Sequence, residues 1–514
     1  MKKVSVPRPL GISGATNTRR VFSTVPLEID LARSSDHFQC FHLQEPDLIF
    51  GGGHRCVDPR TGLAAYGPYG VTSPEVPAQI RVGIVGTSEG IDRTIKLLQE
   101  ISQRIEQGPD VDCVLHPSFP GLNIQGSLNV QLLTETEWHR PLSLHSTDFD
   151  SVRKGYDFSI RCRVLQQAIG EEVRVLSELE NPPQLVLCAL SEPMGRLLGR
   201  GAASDDADVA STEKMLSSGA RKSDGLFREF RAGLKAECMG SLATEIIWDH
   251  ASSGTGATQD RATRAWDLSL TLLHNGGVVP WRLANAAEDA CFVGISFHHA
   301  SSHAVRSFAH VVTELGDSYI VDGDLVEWDQ CKKGEVVPQL EKEQARRLMS
   351  RALSVFAEET GVSPRKVTVH KRTPYSDMER KGFENALNKI PEYGLMTISR
   401  QGIFCMRPGR KPILRGTAIP FDEKLGLVFT SGYVPFLRGY FGGSTRQPLE
   451  IMENWGALSF QQAASDLMSL TKLNLNSSDF CADLPLTLAR CEEIGEILRA
   501  LGKKEPSIDD RYYV

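Results

Sequence analysis

A glycine-rich turn near residue 86 combines residue types and spacing that could bind a phosphate group. Gly83, Gly86 and Gly90 occur in GIVGTSEG, between a run typical of a buried strand and an amphipathic helix. Backbone amides at such a turn can hold a phosphate. The spacing is neither G-x-G-x-x-G nor that of a P-loop. A nucleotide-binding α/β enzyme is therefore one alternative, and close strand–helix packing is the other explanation of the glycines.

Two groups of cations could also contact phosphate. Arg231 and Lys235 are four residues apart in a predicted helix and share one face, which could hold a phosphate or form an ordinary basic surface. Residues 400–415 carry no acid, and their cations could line a nucleic-acid channel or form a solvated loop. These cations are Arg400, Arg407, Arg410, Lys411 and Arg415.

The elements that position these residues alternate between strands and helices. Predicted strands are IRVGIVG, PPQLVLCAL, CFVGISF, KVTVHK, LMTIS and LGLVFTSGY. Predicted helices are residues 88–108, TRAWDLSLTLLH, residues 342–359, FQQAASDLMSLTKL and PLTLARCEEIGEILRAL. The alternation predicts an α/β protein with parallel strands. We expect an N-terminal extension and framing segment over 1–75, one domain over 76–250 and another over 251–514.

Composition narrows the class of protein. The net charge of −7 argues against a general nucleic-acid coating protein but allows a locally basic channel. The 11 cysteines are scattered and form no C-x-x-C pair, which predicts neither a disulfide framework nor a zinc site and favours the reducing cytoplasm. We predict neither a secretory signal nor a membrane span.

Several segments resemble the short prokaryotic Argonautes, in the order of that family. They are EPDLIFGGGHRCVDPRTGLAAYGPYG, AWDLSLTLLHNGGVVPWRL with CFVGISF, VTVHKRTPYSDMERKGF, LVFTSGYVPFLRGYFGG, and DLMSLTKLNLNSSDFCADLPLTLARCEEIGEIL with the final RYYV. Together they extend from Glu45 to Val514. The resemblance implies a Rossmann-like MID domain (76–250) followed by an RNase H-like PIWI domain (251–514), without a PAZ domain.

The resemblance also implies that the nuclease site is degenerate. An active PIWI site clamps two divalent ions between carboxylates. Ser296 stands where one aspartate follows V-G-I, and Arg372 stands where another follows a later strand. Since a hydroxyl and a cation cannot replace two carboxylates around paired Mg²⁺, we expect a pseudo-nuclease. Glu492 loosely fits the last tetrad position. If a segment is misaligned, Asp322 or Asp377 would be ligands of an active guide-dependent endonuclease.

A pocket for the guide 5′-phosphate is a further implication of the resemblance. The family pattern is His/Tyr-x-x-x-Lys, then a glutamine, then a lysine before Gly-Gly. Arg231 and Lys235 fit the first pair, whereas Glu245 and His274 depart from the later positions. The terminal carboxylate of Val514 is expected to reach back between the two domains near the guide 5′ end, where a Mg²⁺ ion could join it to the phosphate.

The function implied is guide-directed recognition. Lys371 and Arg372 are expected to line the guide–target duplex, in which a 5′-phosphorylated RNA guide pairs with an invading single-stranded DNA. Members of this family act with a separate effector that carries an APAZ region and is a TIR NADase, a sirtuin-like NADase or a nuclease. Target binding then activates the effector, often by oligomerisation, in defence against plasmids and phages.

Overall fold

The computed structural model describes residues 40–71, 77–109, 112–123, 128–143, 158–191, 194, 198, 221–248, 260–284, 289–328, 337–400, 402–403, 405, 412–435, 437–440 and 446–514. The predicted domain boundaries at 75/76 and 250/251 lie outside these ranges. None of the helices within them is long and apolar enough to cross a membrane.

The strands, in chain order, are β1 Phe41–His42, β2 Leu48–Ile49, β3 Arg55–Cys56, β4 Ala78–Gly86, β5 Val130–Leu133, β6 His139–Pro141, β7 Leu185–Leu190, β8 Ala243–Trp248, β9 Arg282–Leu283, β10 Ala290–Ser301, β11 Ala304–Thr313, β12 Ser318–Glu327, β13 Lys366–Lys371, β14 Glu392–Ser399, β15 Thr417–Pro420, β16 Gly426–Val428, β17 Tyr433–Val434, β18 Gly439–Tyr440 and β19 Leu449–Gly456.

The α-helices are α1 Pro59–Tyr66, α2 Ser88–Ile101, α3 Phe158–Ser177, α4 Arg221–Cys238, α5 Arg261–Asn275, α6 Lys342–Thr360, α7 Asp377–Ala386, α8 Phe460–Leu470, α9 Leu486–Ala489 and α10 Cys491–Leu501. Short 3₁₀ turns occur at Gly51–Gly53, Thr136–Trp138 and Asp510–Tyr513.

A parallel sheet forms the first half of the fold. Its strands run in the order β5-β4-β7-β8, with β6 pairing the end of β4, and every pairing is parallel. Apolar side chains of α2 and α5 cover one face, and those of α3 and α4 cover the other. Helices on both faces of a parallel sheet are the Rossmann-like arrangement that the sequence predicts.

A nine-stranded mixed sheet forms the second half. Its order is β1-β15-β16-β19-β14-β13-β10-β11-β12. The central strands β10, β13 and β14 are parallel, whereas β11 and β12 extend β10 as antiparallel neighbours. Helices α6 and α7 pack on one face, and α8, α9 and α10 pack on the other. This is the predicted RNase H-like layer, and β1 joins the framing segment to its edge.

Local signals explain several helix ends. Thr87 caps α2, and Asp260 caps α5 by accepting bonds from Ala262 and Thr263. The C-cap of α6 is Gly361 at φ 77°, a conformation that favours glycine.

Two predicted helices differ in the structure. Helix α2 ends at Ile101 rather than at 108, because Ile105 pairs with Phe119 in a short bridge. The last predicted helix is divided at Arg490, whose guanidinium is bound by Asp510. The periodicity of apolar residues continues across both points, so the sequence alone does not mark them.

Candidate nucleic-acid interface

The carboxyl end of β13 lies beside the middle of β10 at the centre of the nine-stranded sheet. Gly294 pairs with His370 in parallel register. Ser296 and Arg372 each follow two residues later, so they lie on the same face. The start of α10 covers this point, where Ser296 hydrogen-bonds the Cys491 sulfur and Arg372 acts on it electrostatically. The two positions predicted for a degenerate nuclease site therefore converge.

The functional groups at this point are the Ser296 hydroxyl, the Cys491 thiol and the Arg372 guanidinium. Burial raises the pKa of the Cys491 thiol to about 12. The thiol is therefore protonated at neutral pH and is a poor nucleophile there. Ser296 is half-buried, and Arg372 is exposed, which leaves its cation available to a phosphate.

Glu492, the loose match to the last tetrad position, faces a different partner. Its side chain is 77% exposed, and its carboxylate lies 3.4 Å from the guanidinium of Arg228 on α4. This contact joins α10 to a helix of the first half of the fold.

The two alternative metal ligands also have partners elsewhere. Asp322 forms an ion pair of 2.6 Å with Arg306. Strand β11 lies between Asp322 on β12 and Ser296 on β10, so the backbones of these two residues are about 10 Å apart. Asp377 lies in the first turn of α7, 83% exposed and 3.3 Å from Arg380. Within the described ranges, no group of three or more His, Cys, Asp or Glu side chains could hold a metal ion.

A pair of buried histidines supports the sheet beside this point. Gly294 pairs with His310 on one side and with His370 on the other. Thr487 of α9 lies directly over Gly294, and its hydroxyl is 2.8 Å from Nδ1 of His370. A Cβ added at Gly294 would approach the Thr487 carbonyl oxygen to 1.9 Å. The glycine is therefore required for α9 to pack against the sheet, and sequence analysis did not single out these histidines.

The prediction that Lys371 lines the duplex is wrong. Its side chain is 1% exposed, and its ammonium lies 2.5 Å from the carboxylate of Glu379, which is itself fully buried. Both charges lie inside the core between the sheet and α7. Lys371 turns inward and has a structural role, whereas the next residue, Arg372, turns outward.

The prediction that Arg415 belongs to a nucleic-acid channel is also wrong. The guanidinium is buried, donates to the carbonyl of Thr430, and lies 2.9 Å from Glu45. Lys472 contacts the same carboxylate at 3.0 Å. Glu45 therefore fastens the framing segment to the second half of the fold, and neither cation is available to a phosphate.

Of the other cations predicted for the channel, the structure describes Arg400. Its guanidinium is 43% exposed and lies 3.3 Å from Asp483, so it can face solvent. The remaining three lie outside the described residues: Arg407, Arg410 and Lys411.

The predicted phosphate-binding pair on α4 is only partly available. Lys235 is buried, donates to the carbonyl of Thr244, and lies 4.0 Å from the carboxylate of Glu245. Burial lowers the pKa of Lys235 to about 8, and Glu245 offsets part of that shift. Arg231 stays partly exposed on the same helix. One N–H of Lys235 is used by Thr244 and its charge faces Glu245, so a phosphate could reach it only after these contacts rearrange; that Lys235 binds the guide phosphate stays a prediction.

His274, at the end of α5, lies near a carboxylate, although its buried Nε2 has no hydrogen-bond partner among the described residues. Its Nε2 lies 3.5 Å from the carboxylate of Asp510. The same carboxylate accepts bonds from Ser318 and from Arg490. Although burial opposes the shift, His274 and Arg490 hold the pKa of the Asp510 carboxyl below its usual range. These contacts tie α5 to the last turn of the chain.

The C-terminal segment is docked, as the sequence predicts. Tyr513 is fully buried and Val514 nearly so. Tyr513 packs against Phe308 and other apolar side chains of both halves, and the Tyr512 hydroxyl donates to the carbonyl of Ser241. The last turn, Asp510–Tyr513, thus lies between the two halves of the fold, and the buried Val514 follows it.

A cavity of about 430 Å³ opens beside His274, and its charges bear on the predicted Mg²⁺ ion. Four carboxylates line it, those of Asp317, Glu359, Asp509 and Asp510. Three of them already have cationic partners: Asp317 with Arg282 at 2.8 Å, Asp509 with Arg511 at 2.6 Å, and Asp510 as described above. A Mg²⁺ site needs carboxylates that are free to coordinate the ion, so the three paired side chains do not fit one. Val514 is not among the residues that line this cavity, and the Mg²⁺ ion expected at its carboxylate stays a prediction.

The glycine-rich turn after β4 is explained by packing. A Cβ added at Gly86 would come within 2.5 Å of the Ala189 carbonyl oxygen on β7. The Thr87 hydroxyl accepts the bond from the Gly90 amide, which satisfies one of the donors that a phosphate would need. The structure therefore favours the packing explanation over a nucleotide site.

Comparisons with known proteins give matches among solved structures. No family model matches the chain, and no curated protein matches it. Clostridium butyricum Argonaute bound to a guide DNA and a 19-mer target DNA is 13% identical, with a TM-score of 0.56 over 93% of this chain and 55% of that one. Aa-Ago with externally bound siRNA is 14% identical, with a TM-score of 0.55 over 92% and 56%.

A third solved structure, A. aeolicus Argonaute, is 14% identical with a TM-score of 0.54 over 92% of this chain and 55% of that one. The chain thus spans about half the length of these structures. At this identity the likeness shows the fold alone. The chain has an α/β fold like the MID and PIWI portion of Argonaute proteins.

Proposed function

We propose that this chain is a guide-directed recognition subunit that pairs a guide strand with a target strand and does not cleave the target. One observation supports the proposal: Ser296 in the middle of β10 and Arg372 just beyond β13 lie together, and the resemblance expects carboxylates for two-metal hydrolysis at these two positions. The Arg372 guanidinium repels a divalent ion, yet it attracts a phosphate oxygen. The same point can therefore contact a duplex without hydrolysing it.

The finer parts of the proposal rest on the resemblance to short Argonautes. An RNA guide and a single-stranded DNA target are the strands proposed. An APAZ-containing effector, either a NADase or a nuclease, is the proposed partner, activated when the target pairs and the complex oligomerises. The outcome proposed is antiplasmid or antiphage defence. Catalysis then belongs to the effector and not to this chain.

The experiment is a binding assay with matched strands. The purified chain is loaded with an RNA guide, and the anisotropy of a labelled single-stranded DNA is measured with a complementary or a scrambled guide. We expect affinity for the complementary target to exceed that for the scrambled one at least about tenfold. Equal affinity would contradict guide-directed recognition. Tight binding of a mononucleotide without oligonucleotide affinity would favour the nucleotide-enzyme alternative.

A further inference from the structure

Given the proposed pairing of a guide with a target, on which this point rests, we propose that two stacked rings on the framing segment bind an unpaired nucleobase. The rings are those of His54 and Tyr66, whose centroids lie 4.4 Å apart with an angle of 16° between the ring planes. The ligand is a single-stranded part of either nucleic-acid strand. Every nucleobase has a flat aromatic face, so such a site accepts bases of any sequence.

The two turns that carry these rings are fastened to each other. Tyr66 is the last residue of α1, and His54 follows the 3₁₀ turn Gly51–Gly53. The Gly51 amide donates to the Gly67 carbonyl at 3.1 Å, and a Cβ added at Gly51 would collide with the Tyr66 carbonyl oxygen. Because the backbones lie this close, the rings are held in place before a ligand binds. Binding a base therefore costs little conformational entropy in the protein.

The outer side of the stack is in contact with solvent. Tyr66 is 42% exposed, and His54 is exposed as well. Since each ring covers one face of the other, the exposed surface lies on the outer faces and the ring edges. A nucleobase can add to the stack as a third ring, and it would remove apolar surface from water.

A second exposed ring lies three residues further along the chain. Tyr69 is 39% exposed, and the guanidinium of Arg282 lies 5.3 Å from the centroid of its ring. The Tyr69 amide donates to the Pro280 carbonyl at 2.9 Å, which fixes this position to the loop before β9. Three residues span at most about 11 Å. A short unpaired stretch that stacks on Tyr66 can therefore also reach Tyr69.

The surroundings of the stack favour a nucleobase over a protein partner. The exposed residues described next to the two rings in the chain are glycine, alanine or polar residues: Gly52, Gly53, Arg55, Thr61 and Ala65. A protein partner needs a wide contact surface, whereas one base needs only the area of a ring. The size of the exposed aromatic surface thus fits a small, flat ligand.

The test uses strands in which a short unpaired flank carries either bases or abasic sugars. The flank is placed on either side of the paired stretch of the target, or at the 3′ end of the guide, and dissociation constants are measured by anisotropy. In at least one arrangement, the flank with bases should bind at least about fivefold more tightly, and that arrangement identifies the strand. Equal constants in every arrangement would overturn the inference, while a retained preference for the complementary guide would leave the proposed function standing. If complementary and scrambled guides bind the target equally, the proposed function fails instead.

Substitutions test whether the stack is the cause. Tyr66→Ala should abolish the difference between flanks with and without bases, whereas Tyr66→Phe keeps the ring and should retain it. The matched control is Phe421→Ala, which removes an aromatic side chain that is 49% exposed on another turn and should keep the wild-type difference.

The melting temperature shows whether each variant is folded. If Tyr66→Ala melts like the wild type and the difference between the flanks persists, the assignment to the stack is wrong. If Tyr66→Ala does not fold, the comparison is made with His54→Ala, which removes the ring that supports Tyr66. The difference should then be reduced, and an unchanged difference would equally overturn the inference.

Discussion

Replacing Lys371 with methionine removes one partner of a fully buried ion pair and should unfold the protein at a lower temperature. The ammonium lies 2.5 Å from Glu379 and close to the rings of Phe297 and Tyr375, at 5.7 and 5.4 Å. Burial lowers the pKa of Lys371 and raises the pKa of Glu379, and the ion pair opposes both shifts. Without the lysine, the carboxylate is buried and unpaired.

Breaking such a pair costs about 3–5 kcal/mol of unfolding free energy. For a domain of this size the cost corresponds to a fall in melting temperature of about 6–20 °C. The double variant Lys371→Met/Glu379→Gln should recover most of this loss, because no buried charge remains and the glutamine can still accept the Leu340 amide bond now made by Glu379. Thermal unfolding followed by circular dichroism measures both variants beside the wild type.

The matched control is the exposed neighbour, Arg372→Met. Its unfolding free energy should stay within about 0.5 kcal/mol of the wild-type value, because the side chain is exposed. Its affinity for a guide–target duplex should fall, because the cation that contacts phosphate is lost. Target affinity of Lys371→Met, measured at a temperature where it is folded, should be unchanged. A Lys371→Met variant that melts normally but loses duplex affinity would refute the assignment of Lys371 to the core.

Two further predictions concern the interior of the nine-stranded sheet. Gly294→Ala should lower the melting temperature by an amount equivalent to about 1–3 kcal/mol, because its Cβ would meet the carbonyl of Thr487, whereas Gly402→Ala, with open space around it, should not. Stability should also fall on acidification. Burial lowers the pKa of His310 and of His370 to about 3 from the ordinary 6.5. Below pH 6.5 the unfolded chain therefore binds protons that the folded chain does not, and each histidine contributes a loss of about 2 kcal/mol between pH 6.5 and pH 5. Urea unfolding across this range measures the slope, which should be shallower in His310→Gln; an unchanged slope would contradict the assignment.

The sequence predicted the positions of the strands and helices well. It did not predict which residues pair with the charged side chains. Strand β13 occupies Lys366–Lys371 as predicted, and α6 extends one residue beyond its predicted end. In both the strand and the helix, apolar residues recur at regular spacing, and residues that do not continue the element follow its last position. Local patterns of this kind depend on neighbours within a few positions, so they can be recognised in the sequence.

The buried cations could not be predicted in this way. Arg415 looks like one more residue of a basic run, yet its partner Glu45 lies 370 positions away in the chain. Likewise, nothing in KVTVHKR distinguishes the inward Lys371 from the outward Arg372 until the strand's face is known. Long-range ion pairs depend on tertiary packing, and sequence spacing does not encode them.

Glu245 shows where a departure from the family pattern was informative. The family pattern has a glutamine near this position, and Glu245 departs from it. In the structure it faces Lys235. Glu245, which departs from the family pattern, therefore lies beside the cation whose charge it offsets, Lys235.

The central claim is that the site at Ser296 and Arg372 contacts a paired duplex without hydrolysing it. The most direct measurement is a denaturing gel of an end-labelled target, incubated with guide-loaded protein under conditions where anisotropy shows the target to be fully bound, in Mg²⁺ and in Mn²⁺. The account predicts that the bound target stays full length. A discrete cleavage product that depends on the complementary guide and on the metal ion would contradict it.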